Sequence, residues 1–187
     1  MPQKKILIDT NTYIRLSKDI HPLLGEVFGD QSYCLYILKE AYEELQNPRL
    51  ETSFYWIEET EYVENRKKFP SISRVNKREI KDNFQYMWET AQEPEFIGPS
   101  ETDIIYLATA LALEIPVVTD DQAMVKLGLE YGIEVMSTVK LLKLMHDSNH
   151  ITLEEVDRIV KYLNVYDRPS NLHEDYKKYF DKTLVSL

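Results

Sequence analysis

Cysteine is nearly absent. Cys34 is the single thiol among 187 residues, so no internal disulfide can form, and a reducing compartment is the expected setting. Glycine is scarce as well, with five residues and no G-x-G-x-x-G run after the first apolar segment. That excludes a dinucleotide-binding fingerprint. No apolar run approaches the ~20 residues that a membrane span needs, so no membrane association is expected. The chain passes from Met1 through Lys4 and Lys5 straight into a short apolar run, without a signal-peptide pattern, which makes the cytoplasm the expected location. Positive charge is in deficit, with 22 Lys and Arg against 32 Asp and Glu and a net charge of −10. A passive nucleic-acid coat, which needs a basic face, is thereby excluded. An acidic site neutralised by divalent cations, or a basic protein partner, remains compatible with that charge.

What is there is an ordinary globular mix, 43% hydrophobic and 29% charged, sufficient for a buried core. Strand and helix signals alternate. Lys5–Ile8 reads as a short buried strand ending at Asp9, followed by a helix with Thr10, Asn11 or Thr12 as cap. Pro22 opens a helix to about Phe28, Tyr33–Ile37 is a second strand, and Lys39–Gln46 a helix that stops before Pro48. Helical patterns follow over Thr52 to about Arg66 and Lys77–Thr90. Ser100 caps a helix over Glu101–Leu113, with Asp103 as its N3 acid. Ile115–Thr119 is a strand, Asp121–Tyr131 a helix closed by Gly132, Ile133–Met136 a strand, and Ser137 caps a helix to about His146. The alternation predicts an α/β fold, a central parallel sheet with helices on both faces. Residues 1–146 are expected to form this domain. Residues 147–187 read as a helical extension packed on it, with Thr152 and Glu155 capping one helix to about Leu163 and Asn171 and Glu174 opening another to about Leu184.

Three acids share one structural address. Asp9 ends the first strand, Asp121 follows the strand Pro116–Thr119, and Asp103 lies in the first turn of the helix before that strand. Ligand sites in open α/β sheets form outside the carboxyl ends of the strands. A fourth acid, Glu44, lies on the helix after the second strand. Carboxylates gathered in one hollow raise each other's pKa, and a hard cation resolves the conflict. All-oxygen ligation suits Mg²⁺ or Mn²⁺, which can activate water and stabilise the oxygens of a phosphoryl displacement.

Ile6-Leu7-Ile8-Asp9-Thr10-Asn11 resembles the opening motif of the PIN-domain nuclease family, and Tyr42-Glu43-Glu44-Leu45 its internal Glu-Leu helix. Glu101-Thr102-Asp103 with Ile104-Ile105-Tyr106-Leu107-Ala108 resembles the third acidic motif, and Val117-Val118-Thr119-Asp120-Asp121 the fourth. Order and spacing agree over about Lys4–Leu142. The resemblance implies a PIN-like three-layer α/β/α fold, a Mg²⁺ or Mn²⁺ site and endoribonuclease activity on an RNA substrate. Carried over by position, Asp9, Glu44, Asp103 and Asp121 are the metal-ligand acids, with Asn11 and Thr119 orienting them or binding phosphate. Glu40 and Glu43 compete with Glu44, which is favoured because it precedes Leu45, and Asp120 competes with Asp121. The resemblance also implies a homodimer and a toxin role of the VapC type. An antitoxin partner could then place an Arg among the acids. An RNA-processing nuclease and a silent PIN-like scaffold are the alternatives. A haloacid-dehalogenase phosphatase also begins with a strand ending in Asp, but it needs a second Asp where this chain has Asn11.

One basic island interrupts the acidic chain. Arg66, Lys67, Lys68, Arg74, Lys77 and Arg78 lie close together, with Lys81 just beyond and Glu79 as the single acid. Phe69, Phe84, Tyr86 and Trp88 flank or follow it. Cations hold phosphates and aromatics stack unpaired bases, so this island is expected to guide RNA. The equally simple reading is a solvated loop beside core aromatics. His146 and His150 read as helix-end residues, Cys34 as a small buried apolar group, and Tyr162, Tyr166, Tyr176 and Tyr179 as packing for the extension or for another subunit.

Overall fold

The first apolar run forms strand β1, Lys4–Ile8, in which Ile6, Leu7 and Ile8 are all buried. A strand apolar on both faces belongs at the centre of a sheet covered on both sides, and β1 takes that place. The computed structural model describes residues 3–47, 50 and 53–184. Among them the sheet has five strands. The others are β2 (Val27–Phe28), β3 (Tyr33–Tyr36), β4 (Val117–Val118) and β5 (Val135–Met136), in the order β2-β3-β1-β4-β5. β1 pairs in parallel with β3 and with β4, and β4 in parallel with β5; only β2 is antiparallel, on the edge beside β3. The sheet is therefore mixed and mostly parallel, and the architecture is compatible with three layers.

The helices include α1 (Thr10–Ser17), α2 (Lys39–Glu44), α3 (Thr60–Asn65), α4 (Arg74–Thr90), α5 (Glu101–Leu113), α6 (Gln122–Glu130), α7 (Thr138–Asp147), α8 (Leu153–Tyr166) and α9 (Leu172–Phe180), with a 3-10 turn at Tyr55–Glu58. None is long and apolar enough to cross a membrane. α5 is buried along most of its length, from Ile104 through Tyr106 to Ala110. α4 is largely exposed and lies antiparallel to it: the Asn76 amide donates to the Ala112 carbonyl at 3.0 Å and the Asn83 amide to Ala108 at 3.5 Å. Val156, Ile159, Val160 and Leu163 of α8 and Leu172 and Tyr176 of α9 are buried in the same apolar cluster as the sheet.

Several sequence expectations are corrected. Pro22–Phe28 is not a helix. Leu23 and Leu24 are buried there in irregular backbone, and the Asn65 side chain pairs with Leu24, accepting from its N–H at 3.1 Å and donating to its carbonyl at 2.9 Å. Gly25, at φ +77, then turns the chain into β2. A distant amide thus satisfies the groups a helix would have paired. The Thr52–Arg66 pattern breaks into the 3-10 turn and the short α3, and the long helix begins at Arg74 rather than Lys77. The strands expected at 115–119 and 133–136 are shorter, and α9 ends at Phe180 with no side-chain cap from Asn171. Pro48 and Thr52 lie outside the described residues.

Candidate active site

The register of the central strands builds the site. Ile8 pairs with Val118, and the Asp9 N–H donates to the Val118 carbonyl at 3.1 Å. Asp9 and Thr119 therefore leave the sheet side by side. Asp9 itself caps α1, accepting from the Thr12 N–H at 2.6 Å, so the cap is the acid and not Thr10, Asn11 or Thr12. Asp121 caps α6 by accepting from the Met124 N–H at 2.8 Å. Ser100 and Asp103 form a capping box on α5: Asp103 Oδ2 accepts from the Ser100 N–H at 2.7 Å and from its hydroxyl at 2.8 Å. Three helix N-termini, each a partial positive charge, thus meet where β1 and β4 end.

Between them is a cleft of about 200 Å³ lined by Asp9, Glu44, Asp103 and Asp121, with Thr10, Asn11, Ser100, Thr102 and Tyr106. Glu44 reaches it from α2 and accepts from the Thr10 hydroxyl at 2.6 Å. Thr119 is buried (1% exposed) and is tied to both neighbouring acids: its hydroxyl bonds the Asp9 carboxylate and accepts from the Asp121 N–H at 3.1 Å. Thr119 therefore orients acids and is not open to a phosphate. Asn11 is exposed at the rim. Tyr106 accepts from the Leu38 N–H at 3.0 Å, pinning the start of α2 to α5.

The acids are not electrostatically alike. Burial pushes the Asp9 carboxyl above its usual range, against hydrogen bonds from Thr119 and Thr12 and the Arg15 charge. Burial also raises Asp103, and the negative charges of Asp121 and Glu44 push the same way, against the two bonds from Ser100. A hollow that buries carboxylates and sets like charges beside Asp103 is a hollow that favours a cation. Only oxygen donors line it, the set suited to Mg²⁺ or Mn²⁺. Among the described residues no three acidic, histidine or cysteine side chains stand close enough to grip one ion as they are. Each cleft acid is instead turned to a protein donor.

The two rival positions separate. Asp121 faces the cleft, whereas Asp120 turns away, its side chain 7% exposed and its carboxylate on Arg15 at 2.8 Å and on the Thr138 N–H at 3.0 Å. Arg15 also pairs with Asp167, so Asp120 belongs to an ionic clamp between α1, α7 and the C-terminal helices. On α2, Glu43 pairs with Lys39 at 3.2 Å, leaving Glu44 in the cleft.

The basic island is not brought to the acids. Arg66 is 1% exposed: its guanidinium serves the Ile57 carbonyl and the Glu58 carboxylate, so it cannot meet RNA. Lys67 pairs with Glu64 at 2.6 Å, and Lys68 packs its stem on Gly25. Arg74, Lys77 and Arg78 are exposed, but Asn76 beside them contacts Ala112, nine residues beyond Asp103 and about 14 Å along α5. Ser71 likewise meets Lys5 at the start of β1, the opposite end from Asp9. His146 bonds the Ile151 carbonyl at 3.2 Å, His150 stacks on Phe28, and Cys34 is buried. Of the tail tyrosines, Tyr176 is buried, but Tyr162 and Tyr166 are 47% and 73% exposed and do not pack the extension down.

Sequence reading missed Thr10, Tyr106 and Arg15. Tyr106 could have been found, since it lies one turn after Asp103 on the same helix face. No family model, no curated protein and no solved structure matches the chain.

Proposed function

We propose that the protein is a metal-dependent ribonuclease of the PIN type, hydrolysing RNA phosphodiester bonds in the acid cleft. One observation carries this reading: four acids from four separate elements line a single hollow at the carboxyl ends of β1 and β4. Burial raises the carboxyls of Asp9 and Asp103, and at Asp103 the charges of Asp121 and Glu44 add to it, so ionising these acids is costly without a cation beside them. Asp9, Asp103, Asp121 and Glu44 would hold Mg²⁺ or Mn²⁺, which when bound activates a water nucleophile and stabilises phosphoryl oxygens. The chain's own residues prepare that site. Thr119 fixes Asp9 against Asp121, Ser100 fixes Asp103, and Thr10 fixes Glu44. Asn11, exposed at the rim, is free to donate to a phosphate oxygen. In a toxin, an antitoxin would compete for these acids with a cation of its own, best an Arg, whose fork matches carboxylates.

The test is cleavage of single-stranded and structured RNA in Mn²⁺, Mg²⁺ or EDTA, beside Asp103→Asn. Cutting that needs the metal and falls on the order of 100-fold or more in the variant is the expected result. Cutting that survives the substitution, or that persists in EDTA, would refute the assignment. A protein that neither cuts nor binds Mn²⁺ by calorimetry would be a silent scaffold.

A further inference from the structure

A second hollow opens from the acid cleft. The groove between α1 and α8 has a volume of about 440 Å³ and shares Asn11 with the cleft. An open depression lined by Thr10, Asn11, Glu44 and Leu50 joins the two. One wall of the groove carries Lys18, just past the end of α1; the other carries Arg158, Tyr162 and Tyr166 from α8; Trp56 and Leu163 also line it. Tyr162 and Tyr166 are one helical turn apart, with ring centroids 4.8 Å apart at an interplanar angle of 36°. Their exposure means that no part of the described chain covers them. Two neighbouring rings left open at the rim of a groove form a stacking platform.

The charge in the groove runs against that of the chain. Arg15, Lys18 and Arg158 face Asp19 and Asp167 there, in a protein of net charge −10. Arg15 is fully engaged with Asp120 and Asp167. Lys18 has no carboxylate partner among the described residues and lies 5.6 Å from the centre of the Tyr55 ring. Arg158 pairs with Asp19 at 3.1 Å, but at 57% exposure. A surface pair of that kind is weak and yields to a phosphate. Aromatic faces interleaved with available cations are the pattern that holds unpaired nucleotides, while a duplex keeps its bases stacked on each other.

We infer that the groove between α1 and α8 seats an unpaired stretch of RNA flanking the bond to be cut, with bases on Tyr162 and Tyr166 and phosphates on Lys18 and Arg158. This rests on the nuclease reading of the acid cleft, from which the strand continues past Asn11. It gives the C-terminal extension a role in substrate selection, which the basic end of α4, remote from Asp103, does not have.

The experiment is fluorescence anisotropy with a short labelled single-stranded RNA, alone or annealed to its complement, at low salt in EDTA and in Ca²⁺. Three variants are compared with the wild type: Tyr162→Ser/Tyr166→Ser, Tyr162→Phe/Tyr166→Phe and Arg74→Glu/Arg78→Glu. Loss of about tenfold or more in single-strand affinity is expected in the serine variant, with the phenylalanine and α4 variants near wild type. Because both tyrosines are exposed, the melting temperature should hardly move, which separates lost binding from lost folding. Serine-variant affinity equal to the wild type, a wild type that holds neither RNA, or loss confined to the α4 variant would overturn the proposal. So would a protein that copurifies with the wild type and not with the serine variant while RNA affinity is unchanged. Metal-dependent cutting of the same RNA, with and without Asp103→Asn, is read in parallel. Cutting that depends on Asp103 while serine-variant binding is unchanged removes the groove alone. Tyrosine-dependent binding with neither cutting nor Mn²⁺ binding removes the nuclease reading and leaves the groove.

Discussion

The N-termini of α5 and α8 are built alike, bond for bond. In each, an acid three residues into the helix accepts from the cap residue's N–H at 2.7 Å and from its hydroxyl at 2.8 Å, and its own N–H donates back at 3.2 Å. Yet the carboxyl pKa moves in opposite directions. The bonds from Thr152, with Arg158 and His150 nearby, hold Glu155 below its usual range. Asp103 is raised, because burial and the charges of Asp121 and Glu44 outweigh the same two bonds from Ser100. The capping box accounts for both helices starting where they do and says nothing about why one acid carries an unfavourable charge. Asp103 is raised in spite of its cap because it is buried and has like charges beside it, and a positive charge from outside the cap would offset both. In the nuclease reading it is the cation.

Adding that cation should break the symmetry most strongly. With Mn²⁺ at ~100 times its Kd, binding to the folded state alone adds about 2.7 kcal/mol. In a chain of 187 residues that is a rise of roughly 5–11 °C in melting temperature. Asp103→Asn should erase most of the rise and Glu155→Gln none of it, as a thermal melt with and without Mn²⁺ would record. An equal rise in both variants would mean that the ion binds elsewhere.

Much of this frame was legible in the sequence, and the reason is local. α5 spans the expected Glu101–Leu113 because cap, N3 acid and apolar run are all short-range signals. Asp9 and Asp121 could be placed because buried strands precede them. What could not be read depends on partners far along the chain. Asp120 and Asp121 are adjacent and chemically near-identical, and they are sorted by Arg15 and Thr138, neither of which is local to them. Arg66 looks like one of six surface cations until the Ile57 carbonyl and Glu58 close over it. The false helix at Pro22–Phe28 fails because an amide 41 residues away takes the Leu24 backbone. The exposed tyrosines of α8 could not be assigned to one face for a related reason: their i, i+4 spacing is the same on a core face and on an open one.

Deleting the caps sharpens the comparison on a smaller scale. Ser100→Ala and Thr152→Ala each remove one side-chain cap, a loss of about 1 kcal/mol, or ~2–4 °C for a chain of this size. The two melting temperatures should fall by similar amounts. Only Ser100→Ala should also slow RNA cutting, since Ser100 positions Asp103 while Thr152 positions nothing in the cleft. Equal effects on activity would indicate that both helices matter only through overall stability.

The smallest effect concerns pH, and its sign differs at the two helices. Glu155 has a lowered carboxyl pKa in the fold. Its ionisation therefore stabilises the protein above the unfolded value of ~4.3, and that contribution is lost as pH falls through the lower folded value. Asp103 has a raised pKa, so in metal-free protein its ionisation costs stability as pH rises from ~3.9 through the folded value. Melting curves in EDTA from acid to neutral pH should then diverge in opposite senses. Glu155→Gln should lose ground to the wild type as pH rises, while Asp103→Asn gains ground. Each is compared with itself across pH, so the constant effect of replacing a carboxyl by an amide drops out. If Asp103→Asn also lost ground with rising pH, Asp103 would be an ordinary capping acid like Glu155, and the case that its cleft favours a cation would fail with it.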